Sequence, residues 1–173
     1  MKTLLTADEL QAGVQRIASQ IHDHYQGRPL TIIGILTGSV ILLADLIRLL
    51  EMPLRVGVLQ ARSYRGATTT RSELEIYDEL IPDITHREVL LVDDIFDTGH
   101  TLSLVSRRIQ NLGPRSVQSL VLLRKQGRQE VDLEPDFVGF EIPDQFVVGY
   151  GLDYHDEYRN LPYVAALEEH DLR

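Results

Sequence analysis

Short apolar runs alternate along this chain with amphipathic stretches, and the alternation itself predicts a layered fold. Residues 30–36, 54–61, 89–92 and 116–123 are continuous or nearly continuous in apolar, partly β-branched side chains, the pattern of strands buried on both faces. Between them the spacing changes. Leu10, Val14, Ile17, Ile21 and Tyr25 form a helical stripe behind Thr6 and Glu9, which have capping-box spacing. Gly27 and Pro29 end that helix. A strongly apolar second helix is expected over about 40–50, closed by Pro53. A third follows Thr101, with Leu102, Val105, Ile109 and Leu112 on one face and Gly113-Pro114 as its stop. Leu74 and Ile76 read as a return strand, and 136–142 and 146–154 as two short strands joined by a Pro143-Asp144 turn.

Strands followed by small-residue turns and helices predict a mainly parallel sheet flanked by helices, and open sheets of this kind bind ligands at the carboxyl ends of their strands. The strand at 89–92 leads directly into Asp93 and Asp94, then into Asp97-Thr98-Gly99-His100-Thr101. A glycine, two threonine hydroxyls and the free amides of a helix start make a cradle for one phosphate. The helix dipole contributes about 0.3–1 kcal/mol to such a site, so the amide hydrogen bonds matter at least as much. Two carboxylates beside it would repel an anion unless they bind hydroxyls or a cation. A ribose diol and Mg²⁺ satisfy both conditions, because Mg²⁺ takes one or two carboxylates and completes its shell with water and phosphate. The stretch reads as a ribose 5-phosphate site with a metal nearby. Thr37-Gly38-Ser39 repeats the strand, turn and helix arrangement as a second anion site or a plain tight turn, and 62–72 reads as a polar loop able to cover a phosphorylated substrate.

The stretch VLLVDDIFDTGHT closely resembles the phosphoribosyl-pyrophosphate motif of type I phosphoribosyltransferases, and Asp97 narrows the likeness to the 6-oxopurine branch, the hypoxanthine-guanine phosphoribosyltransferases. The segments Asp136-Phe137-Val138-Gly139-Phe140-Glu141 and Phe146-Val147-Val148-Gly149-Tyr150 resemble the purine-binding region of the same enzymes. This resemblance implies that Asp93, Asp94, Asp97, Thr98, Gly99, His100 and Thr101 hold the phosphoribosyl group. It implies that Thr37, Gly38, Ser63, Tyr64 and Arg159 contact pyrophosphate, and that Lys125, Phe146, Val147 and Asp153 form the purine side. Asp93 and Asp94, with Asp153 at a second position, are the implied Mg²⁺ ligands, and Asp97 is the residue that exchanges a proton or hydrogen bond with purine N7. From an ordinary Asp value of about 3.9, desolvation in the occupied site is expected to raise its pKa. Thr37 and His100 depart from relatives that carry a cation at those places.

The expected activity is purine salvage: hypoxanthine or guanine joined to phosphoribosyl pyrophosphate, with Mg²⁺. At 173 residues and 43% hydrophobic content one domain is expected, and the resemblance implies a core over about 27–125 with a small hood from terminal segments that include about 126–173. The net charge of -9 and the lack of a basic run disfavour nucleic acid, and with it an RNA-binding attenuator of the same fold. A haloacid-dehalogenase-like phosphatase wants two aspartates one residue apart, whereas Asp94 and Asp97 are separated by two. With no cysteine, thiolate chemistry is excluded. Ile32 to Leu50 is broken by Gly34, Thr37-Gly38-Ser39 and Asp45, unlike a membrane span, and the start is unlike a signal peptide, so a cytoplasmic protein is expected. The resemblance implies a homodimer or homotetramer.

Overall fold

The computed structural model describes residues 1–63, 74–168, 170 and 171. Its main sheet contains β2 (Leu30–Leu36), β3 (Leu54–Ser63), β4 (Leu74–Tyr77), β5 (Glu88–Phe96), β6 (Ser116–Lys125) and β7 (Phe137–Ile142). The spatial order is β4-β3-β2-β5-β6-β7, and every pairing is parallel except β3 with β4. A second, antiparallel sheet joins β1 (Lys2–Leu5), β9 (Val164–Ala166) and β8 (Val147–Val148) in that order.

Alternation along the central strands separates two apolar layers. Ile32, Leu90 and Leu120 point into the layer under α1 (Ala7–Tyr25) and α2 (Val40–Ile47). Ile33, Leu91 and Val121 point into the layer under α3 (His100–Gln110), against Leu102, Val105 and Ile109. Each such side chain stabilises the fold by roughly 1.5–3 kcal/mol through burial. The capping box at Thr6 and Glu9 is present, and the whole expected α1 stripe is buried. Gln26 (φ 50°) and Gly27 (φ 74°) then turn the chain out of the helix.

The strand order reverses between β2 and β5. From β2 the chain moves to β3 on one side, while from β5 it moves to β6 and β7 on the other. The turns that follow β2 and β5 therefore leave a crevice between them, the place where such sheets hold ligands.

Several boundaries differ from the sequence pattern. β5 extends to Phe96, so Asp93 and Asp94 lie inside the strand rather than beyond its end, because β6 continues to pair with it through Arg124. α2 stops at Ile47. The two strands around Pro143-Asp144 do not form a hairpin: β7 pairs parallel with β6, and the chain then crosses to β8 in the other sheet. β7 belongs to the main sheet because α1 seals it. Arg16 donates to the Gly139 carbonyl, and the Phe140 ring occupies the space over Gly13. The short strands β1 and β9 carry too few residues to show a period.

Candidate active site

The crevice is built from two turns. The β2 turn contributes Thr37 and Gly38, following a cis Leu36–Thr37 peptide. Ser39 turns away: its hydroxyl donates to the Ile35 carbonyl at 2.6 Å, and it is fully buried. The β5 turn contributes 97–101. Gly99 is required there twice, since its φ is 89° and an added Cβ would meet Val131 at 2.5 Å and the Phe96 ring at 2.7 Å. No side chain caps the start of α3, which leaves its first amides for an anion. These turns, with Asp93, Asp94, Asp153 and Arg159, line a cavity of about 310 Å³.

A smaller cavity of about 210 Å³ adjoins it, lined by Lys125, Phe146, Val147 and Leu152. Asp94, Ile95, Asp97 and Asp153 line both cavities, so they form the seam between them. Phe146 is 48% exposed and packs edge-on against Tyr154 at 5.5 Å, leaving ring surface for a flat ligand. Its backbone is fixed by the second sheet, where the Leu167 amide donates to the Phe146 carbonyl at 2.8 Å and Val147 pairs with Ala166. A larger cavity, about 630 Å³, opens between α1, α2 and 159–162. It contains neither the acidic pair nor the phosphate turn, and of the site residues only Arg159 borders it.

Asp93 is 7% exposed, and its Oδ1 accepts from the Asp94 amide at 3.0 Å. Asp94 Oδ1 accepts from the Ile95 amide at 2.9 Å. Burial pushes the Asp93 carboxyl well above the ordinary carboxylate range, and the adjacent Asp94 charge adds to the rise. Burial also raises Asp94, against opposing hydrogen bonds and the charge of Arg159. Two neighbouring carboxyls whose ionisation is resisted in this way fit a divalent cation, which would balance both charges with hard oxygen ligands. Asp153 stands apart from that pair. Its carboxylate meets Arg159 Nη2 at 2.8 Å and accepts from the Asp156 amide at 2.9 Å. It lines the same cavity without closing a three-carboxylate cluster, because its own turn already holds it.

Asp97, expected to rise when a purine desolvates it, starts from a lowered value before any ligand binds. Burial alone would push its carboxyl up, but hydrogen bonds from Arg128 and Lys125, with their charges, outweigh that and hold it below the usual carboxylate range. Lys125 Nζ lies 3.1 Å from Asp97 Oδ2, and Arg128 Nε lies 3.0 Å from Oδ1. The sequence pattern placed Lys125 on this edge but gave no sign of Arg128, which the turn after β6 folds back over the site. The only available signal was a second cation three residues beyond Lys125.

Arg159 donates from Nη1 to the Gly151 carbonyl at 2.8 Å and is fixed at the cavity wall. The His100 side chain turns out of the cradle, its Nε2 2.8 Å from Glu130 Oε2 on the exposed side of the turn, while its backbone amide stays at the start of α3. Thr98 and Thr101 line the cavity as expected. Ser63 ends β3, and Tyr64 lies outside the described residues. Among the described residues, no helix is long and apolar enough to cross a membrane.

A family model described as the phosphoribosyl transferase domain matches residues 2–155. The hypoxanthine-guanine phosphoribosyltransferase of Staphylococcus aureus is 38% identical over 167 residues, covering 96% of this chain and 93% of that one. A crystal structure of a hypoxanthine-guanine phosphoribosyltransferase from Bacillus anthracis superposes with a TM-score of 0.91 at 35% identity, covering 97% of this chain and 99% of that one. A Trypanosoma cruzi hypoxanthine phosphoribosyltransferase in a ternary substrate complex superposes with a TM-score of 0.92 at 32% identity, covering 100% of this chain and 98% of that one.

Proposed function

Because the chain belongs to the hypoxanthine-guanine phosphoribosyltransferase family, we propose that it joins hypoxanthine or guanine to 5-phosphoribosyl 1-pyrophosphate, giving IMP or GMP and pyrophosphate in purine salvage. The observation that carries this reading is the seam: a cavity lined by the 97–101 turn and an aromatic-walled cavity share Asp94, Ile95, Asp97 and Asp153. A sugar lying across the seam has its phosphate in one cavity and its anomeric carbon facing the other.

The 97–101 turn holds the 5-phosphate through amides and the Thr98 and Thr101 hydroxyls. Asp93 and Asp94 take the ribose hydroxyls and Mg²⁺, and Asp153 takes part at a second cation position. Bound there, Mg²⁺ supplies positive charge to the departing pyrophosphate. Thr37, Gly38 and Arg159 contact the same group from the protein side, with Ser63 and Tyr64 assigned to it through the family likeness. The loop cation that relatives use is replaced by Thr37, so Arg159 carries more of the fixed charge. His100 takes no contact with the phosphate through its side chain in this reading, since Glu130 engages it.

On the purine side, Phe146 stacks on the base, Val147 reads its edge through the backbone and Lys125 donates to the 6-oxo oxygen. A purine that carries its proton on N7 presents a lone pair at N9. As the N9–C1′ bond forms and the C1′–O bond to pyrophosphate breaks, that N7 proton must leave. An Asp97 held below the usual carboxylate range is ionised at neutral pH, the form that accepts it. The terminal segments from 126 onward, with β1, act as the hood that supplies this pocket. Val40, Ile41 and Leu49 are between 36% and 41% exposed on and just after α2, which supports assembly as a homodimer or homotetramer through that face.

Incubation of the chain with hypoxanthine and phosphoribosyl pyrophosphate, with Mg²⁺ and then with a chelator, tests the proposal. Mg²⁺-dependent IMP and pyrophosphate are expected, with guanine and xanthine ranked next. No product from any of the three bases would overturn it.

A further inference from the structure

Asp97, Lys125 and Arg128 do not stand alone at the purine side. Asp144, from the crossing between β7 and β8, faces both cations: its Oδ1 is 3.6 Å from Lys125 Nζ and its Oδ2 is 3.7 Å from Arg128 Nε. The same two nitrogens lie at 3.1 and 3.0 Å from Asp97. Each cation is thus suspended between two carboxylates, hydrogen-bonded to Asp97 and at ion-pair distance from Asp144. The four formal charges sum to zero.

From this geometry we propose that Asp144 is a positioning residue for the purine side, the carboxylate that keeps Lys125 and Arg128 in place when Asp97 turns to the base. The inference rests on the purine-side reading given above. Both Asp97 oxygens are engaged by cations, yet one must reach N7 in that reading. The Lys125 side chain is only 11% exposed, so weakening its bond to Asp97 leaves an ammonium with little water around it. Asp144, at 3.6 Å from Lys125 Nζ and 3.7 Å from Arg128 Nε, needs less than an ångström of movement to take over both contacts.

Asp144 also ties the purine wall to these cations. It stands two residues before Phe146, and the crossing is anchored by the Gln126 amide donating to the Ile142 carbonyl at 3.0 Å. A purine that pulls Asp97 toward itself therefore tightens the Asp144 contacts and draws the Phe146 segment closer. Removing the Asp144 charge returns both cations to Asp97. The carboxylate is then a weaker base and a less mobile one.

Steady-state kinetics of Asp144→Asn and Asp144→Glu against the unaltered chain test this. In Asp144→Asn the KM for hypoxanthine is expected to rise about threefold to tenfold, the range for losing two partly exposed ion pairs. The KM for phosphoribosyl pyrophosphate should stay unchanged, and the acid limb of the kcat profile should move to lower pH. Asp144→Glu should recover most of the loss. A general structural role would instead raise both KM values or lower the melting temperature without moving the pH limb. An unaltered hypoxanthine KM in Asp144→Asn, or an equal rise for both substrates, overturns the inference while leaving the activity itself intact. An unaltered chain that is inactive toward every 6-oxopurine would overturn the functional reading instead.

Discussion

Gly38→Ala tests whether the β2 turn is held against the acidic pair as tightly as its geometry implies. A Cβ on Gly38 would land on the Asp94 carboxyl group: its three nearest neighbours are all atoms of that group, and even the farthest, Oδ1, would lie at 3.0 Å. Asp94 cannot move away freely, because the Ile95 amide donates to its Oδ1 at 2.9 Å. The turn cannot retreat either. Gly151 packs so closely that a Cβ there would overlap the Gly38 carbonyl oxygen, and Gly151 is in turn held by its amide donating to the Arg159 carbonyl at 3.0 Å. Forcing a methyl group into packing of this density costs about 1–3 kcal/mol. If that cost falls on the bound state, at about 1.4 kcal/mol per factor of ten it corresponds to a rise of roughly 5-fold to 150-fold in the KM for phosphoribosyl pyrophosphate. The assay is IMP formation at saturating hypoxanthine, with phosphoribosyl pyrophosphate varied at fixed Mg²⁺. Gly113→Ala is the matched control. Its φ of 78° strains any side chain, but nothing lies within 4 Å of the added Cβ, so it should lower stability without touching that KM. A Gly38→Ala enzyme with unaltered KM, or a Gly113→Ala enzyme with the same loss, refutes the reasoning.

Asp97→Asn should reduce kcat by about 10²-fold to 10⁴-fold, as expected for removal of a proton acceptor, and a stopped or continuous IMP assay reads it directly. Lys125→Gln should move the Asp97 limb of the pH profile upward, since a cation that holds the carboxyl down is gone; the same pairing adds stability only where Asp97 is ionised, above the ordinary carboxylate range, and is lost as pH falls through the depressed value. An undiminished kcat in the first variant, or an unmoved limb in the second, would contradict the assignment. Asp93 behaves in the opposite sense: burial and the Asp94 charge raise it, so its ionised form opposes folding at neutral pH. In a chelator at pH 7, Asp93→Asn should therefore melt higher than the unaltered chain, an advantage that shrinks as Mg²⁺ is added, while Mg²⁺-dependent turnover falls. Thr6→Ala removes a capping box remote from the crevice. It should cost about 1 kcal/mol, seen as roughly 2–4 °C in Tm, with kcat and both KM values unchanged.

Local pattern was enough for much of this protein. The α1 stripe of Leu10, Val14, Ile17, Ile21 and Tyr25 and its Thr6–Glu9 box follow from near-neighbour spacing, and all five side chains are buried. The 30–36 strand coincides with β2, and the acidic pair, the Gly99 turn and the start of α3 are contiguous in the chain. Such features depend on interactions within one or two turns, which the sequence displays directly. The charge state of Asp97 is different. It depends on Arg128 and Lys125, whose side chains arrive from the end of β6 and the turn beyond, so burial and pairing compete and only the folded distances decide the winner. The same holds for the crossing at Pro143-Asp144, where local turn residues suggested a hairpin but β6 and α1 captured β7 for the main sheet. It holds too for β1, β8 and β9, which are too short to show a period and exist because the first and last parts of the chain meet. The residue types and motifs that carry the chemistry are local and can be read from the chain. Which cation faces which carboxylate is a long-range outcome, set by the packing that brings distant segments to the same sheet edge.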